Sequence, residues 1–193
     1  MIEREYAFTQ LAEAIRDQIV VAAIANQTAS WYQAKHRPLN LYLRGPMGLA
    51  VSVGFGVALA HPQREVVVIE GDGGLLMGLT ALAAVTHRQP KNFKLICMDN
   101  GIYEAGGKGP TVSAGKVDFV QTVQGMGLSR STTVSQTADL STAIAEWLDC
   151  GECAFLHVRI GRRPGPVNAP KMKPFEMKHQ FLNALTANRP MDP

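Results

Sequence analysis

Two glycine-flanked acidic segments stand at the ends of two apolar runs, and their residue types suit a divalent cation. Gly71-Asp72-Gly73-Gly74 follows the apolar run 65–70, and Asp99-Asn100-Gly101 follows the apolar run 93–98. If both runs are neighbouring parallel strands, their carboxyl ends meet at one crevice, where open α/β sheets bind ligands. Mg²⁺ takes oxygen ligands, and one or two side-chain oxygens with phosphate and water complete its shell. Asp72 and Asn100 could supply those side-chain oxygens.

The glycines of the first segment extend the prediction from a metal to a diphosphate. Gly71 and Gly73 allow the backbone to turn sharply and to approach a ligand closely, and amides at a helix N-terminus can receive phosphate oxygens. Two rival phosphate motifs do not fit. A dinucleotide fingerprint would require glycine in place of Leu76, and a Walker loop would require a hydroxyl residue after Lys108 and glycine at Ile102.

The elements that must position these residues alternate along the chain. Apolar runs rich in β-formers predict strands at 18–24, 40–43, 65–70, 93–98, 129–134 and 154–160, and helical patterns fit 8–16, 28–35, 48–60, 75–88, 118–126 and 138–148. This alternation predicts the α/β class, with a mostly parallel six-stranded sheet in a three-layer α/β/α arrangement. We expect one domain over 1–163, followed by a proline-rich linker, 164–174, and a short helix, 175–185, that packs on the domain or a partner.

Composition agrees with a globular enzyme domain and excludes other classes. The 193 residues are 46% hydrophobic with a net charge of +3, and no basic run forms a nucleic-acid footprint. Arg159, Arg162 and Arg163 suit a solvated strand end. The most apolar segment, 47–60, is shorter than the ~20 residues that span a bilayer, so it is interpreted as a buried helix. The N-terminus lacks a secretory pattern, and we expect a cytoplasmic protein.

Cysteine and histidine add no second site to this interpretation. Three cysteines fit a reducing compartment. Cys150-Gly151-Glu152-Cys153 forms a CxxC pattern, but the predicted helix ends there, whereas thiolates gain stabilisation at a helix N-terminus. No second cysteine pair completes a zinc site, and the five histidines are scattered. We therefore favour a structural role for these cysteines and assign no histidine to catalysis.

Taken together, these residues resemble the thiamine diphosphate-dependent 2-oxoacid decarboxylases. Gly71-Asp72-Gly73 followed by Asn100 is similar to the family's GDG-to-N signature, and Gly45-Pro46-Met47-Gly48 resembles the segment that grips the cofactor's pyrimidine. The segment 100–107 continues the pattern, and the resemblance covers about residues 11–181. Within the family the chain most resembles the beta subunit of sulfopyruvate decarboxylase and the C-terminal half of phosphonopyruvate decarboxylase.

The resemblance implies thiamine diphosphate and Mg²⁺ as cofactors and a role for each matching residue. Asp72 and Asn100 would bind the metal through their side chains, and Ile102 through its backbone carbonyl. Met47 would push the cofactor into a bent conformation, and the Gly45 carbonyl would accept a hydrogen bond from its aminopyrimidine, which makes these two the catalytic candidates. Gly73 and Gly74, with the backbone of Tyr103 and Ala105, would lie against the diphosphate, and Gly71 is a further cofactor-binding residue. Met47 and Tyr103 are also compatible with ordinary packing.

The resemblance also implies a partner. The family activates the cofactor with a glutamate from a separate pyrimidine-binding domain, which this chain lacks. We therefore expect the diphosphate-binding subunit of a decarboxylase, a lyase, that acts on a small 2-oxoacid as a hetero-oligomer with an alpha-type pyrimidine-binding subunit. Alone, the chain is expected to be inactive, to expose the apolar surface around 47–56 and to self-associate, for example as a homodimer. The alternatives are a phosphonopyruvate-type subunit and a non-catalytic thiamine diphosphate-binding module.

Departures from the family pattern leave the substrate open. Lys108-Gly109 lengthens a loop in which the relatives carry a single Gln, and Arg44 and Pro46 are unusual beside the Met47 segment. Arg44 and Lys108 could contact an anionic substrate tail or be plain surface charges. Sulfonate, phosphonate and carboxylate tails are equally compatible with this pattern.

Overall fold

A single parallel sheet organises the chain. The structure is a computed structural model that describes residues 1–162 and 169–187. The strands lie in the order β2-β1-β3-β4-β6-β5, and every pairing between them is parallel. They are β1 (Ile19–Ala22), β2 (Asn40–Tyr42), β3 (Val66–Gly71), β4 (Phe93–Asp99), β5 (Ser131–Val134) and β6 (Ala154–Arg159). The predicted α/β class and six strands are confirmed.

Helices cover both faces of this sheet, as the near-continuous apolar strands require. The side chains of β3 alternate, because Val67 and Ile69 join one apolar cluster and Val66 and Val68 join the other. Helices α1, α2 and α7 pack on the first face, and α3, α5 and α6 on the second. The helices are α1 (Arg4–Ala14), α2 (Asn26–Ala34), α3 (Ala50–Ala60), α4 (Asp72–Met77), α5 (Leu79–Arg88), α6 (Phe119–Gly125), α7 (Leu140–Asp149) and α8 (Pro174–Ala187). Single 3₁₀ turns form at Val112–Ala114 and Thr137–Asp139.

The predicted helix over 75–88 is wrong in both start and continuity. Helix α4 begins at Asp72 and ends at Met77, and Gly78 interrupts the helix before α5 begins at Leu79. A Cβ atom on Gly78 would lie 2.3 Å from the carbonyl oxygen of Gly48, so the two backbones touch at the break. Gly48 itself has φ +84°, which places it outside α3 and delays that helix to Ala50.

Helix α3 is only half buried, which corrects the prediction of a buried helix. Ala50, Val51, Gly54 and Ala58 face the sheet, whereas Leu59 on the outer side is 45% exposed. Gly54 permits the close approach that its type indicates, because a Cβ there would lie 2.1 Å from Val68 Cγ2.

Two end regions complete the fold. Helix α1 begins at Arg4 rather than at the predicted residue 8. Helix α8 begins at Pro174 and packs by Met177, Phe181 and Leu185. Residues 164–168 of the predicted linker, and Arg163 of the arginine cluster, lie outside the described residues. No helix in the described ranges is long and apolar enough to cross a membrane.

Candidate functional site

A small cavity opens at the carboxyl ends of β1, β3 and β4. Its volume is about 80 Å³. It is lined by residues 24–27 after β1, by the last two residues of β3 and 72–74 after it, by 100 and 102–106 after β4, and by Met47. Within the sheet, β2 lies on one side of β1, whereas β4 lies on the opposite side of β3, so the strand order reverses between β1 and β3. The cavity therefore lies at the switch point of the sheet, where open α/β folds bind their ligands.

Nearly all of the predicted site residues line this cavity. They are Met47, Gly71, Asp72, Gly73, Gly74, Asn100, Ile102, Tyr103 and Ala105. Gly45 does not line it, and lies in an exposed turn with φ +116°. Arg44 and Lys108 also lie outside the lining: Arg44 Nη2 donates to the Pro170 carbonyl at 2.8 Å, and Lys108 is exposed at φ +61°. The functional roles of these residues stay predictions.

Gly73 forms the floor of the cavity, and a side chain at this position would collide with its neighbours. A Cβ atom at this position would lie 2.3 Å from Tyr103 Cε1 and 3.2 Å from Met47 Cε. The ring of Tyr103 and the thioether of Met47 therefore converge on the Gly73 backbone. Gly74 is restricted in the same way, since its Cβ would lie 2.2 Å from Glu70 Oε1.

Asp72 is buried and held by two hydroxyl groups. It is 3% exposed, and its Oδ2 accepts hydrogen bonds from Thr111 Oγ1 at 2.5 Å and Ser113 Oγ at 2.9 Å. Burial raises the pKa of Asp72, the Thr111 bond opposes that rise, and the nearby Asp99 charge adds to it. The hydroxyl pair thus fixes a carboxylate in a place that solvation disfavours.

Asp99 forms the second half of this network. Ser113 Oγ also lies 3.2 Å from Asp99 Oδ1, while the Gly101 amide donates to the same Oδ1 at 2.9 Å, as expected for a residue that stabilises the turn. His157 Nε2 donates to Asp99 Oδ2 at 2.9 Å, and Thr133 Oγ1 lies 3.1 Å from His157 Nδ1. Burial acts to raise the pKa of Asp99. The hydrogen bond and charge of His157, together with the hydrogen bonds from the Gly101 amide and Ser113, outweigh burial, and the pKa is lowered.

Thr111, Ser113 and His157 were not predicted as parts of the site. Thr111 and Ser113 lie 39 and 41 residues from Asp72 in sequence, and His157 lies on β6, 58 residues from its partner Asp99. Two hydroxyl residues spaced by two in a glycine-rich loop are the one signal in the sequence. That signal does not identify the carboxylate that they contact.

The other two predicted metal ligands lie in a tight turn after β4. Asn100 Oδ1 accepts from the Ile102 amide at 3.0 Å, and the Ile102 carbonyl accepts from the Glu104 amide at 3.1 Å. Gly101 permits this turn through its φ of +71°. Each of these oxygens keeps a second lone pair, so both can still bind a cation.

Glu104 fixes the outer part of the same loop. Its Oε2 accepts from Arg4 Nη2 at 2.7 Å and from Asn26 Nδ2. Arg4 is itself almost fully buried, and Asn26 belongs to the segment after β1 that lines the cavity. The loop 103–106 is therefore tied to two other elements of the fold.

The charge balance of the cavity favours a cation. Glu70 is 2% exposed, and burial raises its pKa to about 7. Glu70 Oε1 accepts from the Gly71 amide at 2.9 Å, but Oε2 is buried with no hydrogen-bond partner among the described residues. With Asp72 and Asp99 it makes three buried acidic side chains near one cavity, and an added positive charge would relieve their desolvation.

The donor set fits Mg²⁺ in particular. The described part of the chain has no group of three or more His, Cys, Asp or Glu side chains that could hold a metal by themselves. A metal here would need the mixed oxygen set of Asp72, Asn100 and the Ile102 carbonyl, completed by ligand or water oxygens. Hard, incomplete oxygen sets of this kind are typical of Mg²⁺ bound together with a phosphate group.

Comparison with known proteins assigns this arrangement to a family of domains. The family model described as "Thiamine pyrophosphate enzyme, C-terminal TPP binding domain" matches residues 19–158. The sulfopyruvate decarboxylase subunit beta of Methanocaldococcus jannaschii is 36% identical over 168 residues, which cover 87% of this chain and 88% of that one. The phosphonopyruvate decarboxylase of Streptomyces viridochromogenes is 35% identical over 179 residues, which cover 91% of this chain and 44% of that one.

The chain therefore spans about half the length of several curated relatives that it matches. Among solved structures, the fold is similar to that of the thiamine diphosphate-dependent 4-hydroxybenzoylformate decarboxylase of Rhodococcus jostii. The TM-score is 0.68 at 22% identity, and the match covers 84% of this chain and 33% of that one. At that identity the likeness supports the fold alone.

Proposed function

Since the chain belongs to the thiamine pyrophosphate enzymes, through their C-terminal TPP-binding domain, we propose that it is the diphosphate- and Mg²⁺-binding subunit of a 2-oxoacid decarboxylase of the sulfopyruvate decarboxylase beta type. The observation that carries this proposal is the meeting of Asp72, Asn100 and the Ile102 carbonyl at one cavity with the Gly73 floor. These groups come from different strand ends, and together they form an oxygen site for a metal diphosphate.

Each lining residue has a defined task in this proposal. Asp72, Asn100 and Ile102 would hold Mg²⁺, and the backbone of Gly71, Gly73 and Gly74 would lie against the diphosphate. Thr111 and Ser113 keep the Asp72 carboxylate oriented. Thiamine diphosphate supplies an electron sink for the electrons released when a 2-oxoacid loses CO₂. The protein itself binds, orients and excludes water around the reacting groups.

Met47 and Tyr103 would shape the cavity around the cofactor. The side-chain atoms of both residues approach the Gly73 backbone, so they limit the positions that a bound ring system can take. The bulk of Met47 is proposed to enforce a bent cofactor, as in the family. Gly45 is not among the residues that line the cavity, and its carbonyl is proposed as the acceptor for the aminopyrimidine, as in the family.

A partner subunit is proposed for two structural reasons. A volume of about 80 Å³ is well below the roughly 300–1,000 Å³ of pockets that enclose a small molecule, so much of the site must come from elsewhere. Leu49 and Met77, which are close in sequence to the lining residues Met47 and Gly74, are 42% and 58% exposed, and the Gly48 backbone packs against Met77. An alpha-type subunit with the pyrimidine-binding domain would supply the missing wall and cover this apolar surface.

The substrate class is proposed from the relatives. One named relative is a sulfopyruvate decarboxylase subunit and another is a phosphonopyruvate decarboxylase, which favours a short 2-oxoacid with an anionic tail. Phosphonopyruvate is the second candidate. Arg44 and Lys108 are the cations proposed to meet that tail, although neither lines the cavity in the chain alone. The cytoplasm is proposed as the compartment, since all three cysteines are free.

An activity panel tests the proposed function. The chain and the pyrimidine-binding chain that co-purifies with it from the native source are assayed for CO₂ release from sulfopyruvate, phosphonopyruvate and pyruvate, with thiamine diphosphate and Mg²⁺. We expect no release by either chain alone and fastest release from sulfopyruvate by the complex. Equal release by the isolated chain would reject the split site, and no release by a stable complex would favour the non-catalytic binding module.

A further inference from the structure

The first turn of helix α2 opens into the cofactor cavity beside the end of β1. Residues 24–27 line the cavity, and α2 begins at Asn26. The backbone amides in the first turn of a helix have no partner within the helix, and no side chain caps them in α2. Helix α2 has nine residues and no acidic residue in its first turn, so it presents the positive end of its dipole to the cavity.

Positive charge is otherwise scarce around this cavity. The described lining contains no lysine, arginine or histidine, and it includes the acidic side chains Glu70, Asp72 and Glu104. Helix α4 also begins here, but it has only six residues and starts with Asp72. The first amide of α3, that of Ala50, is already bonded to Glu70. Mg²⁺ contacts only part of the oxygens of a diphosphate, so the other oxygens need N–H donors, and α2 has them free.

Gln27, the second residue of α2, has a buried side-chain amide that the protein does not satisfy. The residue lines the cavity and is 9% exposed, yet its Oε1 is buried with no hydrogen-bond partner among the described residues. Its Nε2 lies over Gly71, since a Cβ atom on Gly71 would come within 2.8 Å of it. Buried amides normally have partners, so this one indicates a ligand. Nε2 would donate to a phosphate oxygen, and a water on the same phosphate would donate to Oε1.

The neighbours of Gln27 are held in place by the protein itself. Asn26 Nδ2 donates to Glu104 Oε2, and Thr28 Oγ1 donates to the Ala22 carbonyl at 3.4 Å. Ala25 has φ +57°, in the region that ordinarily favours glycine, and strain of this kind persists where the surrounding structure fixes a site in advance. Asn26 and Thr28 are thus engaged by the protein, whereas Gln27 is placed for a ligand.

We propose that the first-turn amides of α2 and the side-chain amide of Gln27 bind the terminal phosphate of the diphosphate, while the metal is held at the ends of β3 and β4. This inference rests on the proposed function and adds a second point of attachment to the same site. The sequence pattern assigns the diphosphate to residues after β3 and β4, and the structure adds the segment after β1. Gln27 had no signal in the sequence, because residues 24–28 contain no glycine and fit no phosphate motif.

Calorimetric titration of Gln27→Leu tests the phosphate contact. Thiamine diphosphate is titrated with Mg²⁺ into the complex of the chain with its pyrimidine-binding partner. Gln27→Leu should weaken binding by about 10–100-fold, the range of one hydrogen bond to a charged group, and should keep the dependence on Mg²⁺. Gln124→Leu, at an exposed position of α6, should bind like wild type. Equal affinity of Gln27→Leu and wild type would overturn the proposal, whereas no binding by wild type would reject the proposed function itself.

Thermal unfolding without cofactor separates a ligand contact from a structural role. Because Oε1 of Gln27 is unsatisfied in the protein alone, Gln27→Leu should have a midpoint no lower than that of wild type. A lower midpoint, or a variant that does not fold, would show that the amide stabilises the protein and would contradict the proposal.

Gln27→Glu decides between a phosphate and a cation at this amide. The variant has the size of wild type but brings a negative charge to the place proposed for phosphate. It should therefore weaken the binding of thiamine diphosphate with Mg²⁺ more than Gln27→Leu does. Binding as tight as in Gln27→Leu, or tighter, would show that the amide faces the metal and would contradict the assignment to phosphate.

Discussion

Ser113 is the hydroxyl that connects two buried carboxyl groups next to the cavity. Its Oγ lies 2.9 Å from Asp72 Oδ2 and 3.2 Å from Asp99 Oδ1. Asp99 is held in turn by His157 on β6. Through these contacts the orientation of the proposed metal ligand depends on a strand that contributes no residue to the cavity lining.

Removing the Ser113 hydroxyl should weaken metal binding without removing a ligand. In Ser113→Ala, Asp72 loses a hydrogen bond and the two carboxylates lose the group between them, so we expect the affinity for Mg²⁺ with thiamine diphosphate to fall by about 10–100-fold. Titration calorimetry of the complex with its partner measures this change. Ser141→Ala, at an exposed position of α7, is the matched control. Equal affinities for the two variants would show that the bridge has no role in metal binding.

Glu70 should make the metal-free protein less stable as the pH rises. Its pKa is about 7 in the folded state against an ordinary value of 4.5, because of burial. Below about pH 4.5 both states are protonated, so Glu70 has no effect on stability. Between the two values the unfolded chain loses the proton first, and the folded state loses stability until about pH 7, by an amount on the order of 3 kcal/mol.

Glu70→Gln should remove this loss. Urea unfolding at pH 4.5 and pH 8, without metal or cofactor, should show a fall in the free energy of unfolding that is larger in wild type than in the variant. Glu146→Gln, at an exposed helix position, should retain the wild-type pH dependence. The assignment of Glu70 fails if the two variants show the same dependence.

At the scale of elements, two glycines of α3 should respond in opposite directions to the same substitution. Gly54→Ala would place a Cβ 2.1 Å from Val68 Cγ2 in the core, whereas a Cβ at Gly56 has no neighbour within 4 Å. We expect Gly54→Ala to destabilise the isolated chain by about 1–3 kcal/mol through overpacking. Gly56→Ala should stabilise it by about 0.5–1 kcal/mol through helix propensity. Thermal unfolding of both variants measures the difference, and shifts of the same sign would contradict the packing described for α3.

The elements also show what could be predicted from sequence. The strands β3 and β4 were predictable because buried parallel strands are continuous apolar runs with polar residues at their ends. The break at Gly78 was not predictable, because the helical pattern continues from 75 to 88 and the cause is a backbone contact with Gly48, 30 residues away in sequence. The same reason applies to the Asp99 and His157 pair, which only the pairing of β4 with β6 brings together.

At the scale of the whole molecule, the carboxyl and amino ends of the strands carry different side chains. The carboxyl ends of the strands gather acidic side chains and glycine-rich turns around a cavity, and their amino ends hold the buried Lys94 beside Cys150. The meeting of Asp72 and Asn100 at one cavity could be predicted from the sequence, because alternating elements put polar strand ends at one end of the sheet. The hydroxyl groups that hold Asp72, and the lysine beside Cys150, required the three-dimensional arrangement.

Titration with thiamine diphosphate is the most direct test of the claim that this cavity binds the diphosphate together with the metal. Thiamine diphosphate is titrated calorimetrically, with and without Mg²⁺, into the complex of the chain with its pyrimidine-binding partner. Wild type is compared with Asp72→Ala and with Asp17→Ala, which alters an exposed residue. We predict Mg²⁺-dependent binding in wild type and in Asp17→Ala, and a loss of more than about 100-fold in Asp72→Ala, because changes outside the ligand shell alone cost 10–100-fold. Equal affinity of Asp72→Ala and wild type would contradict the site.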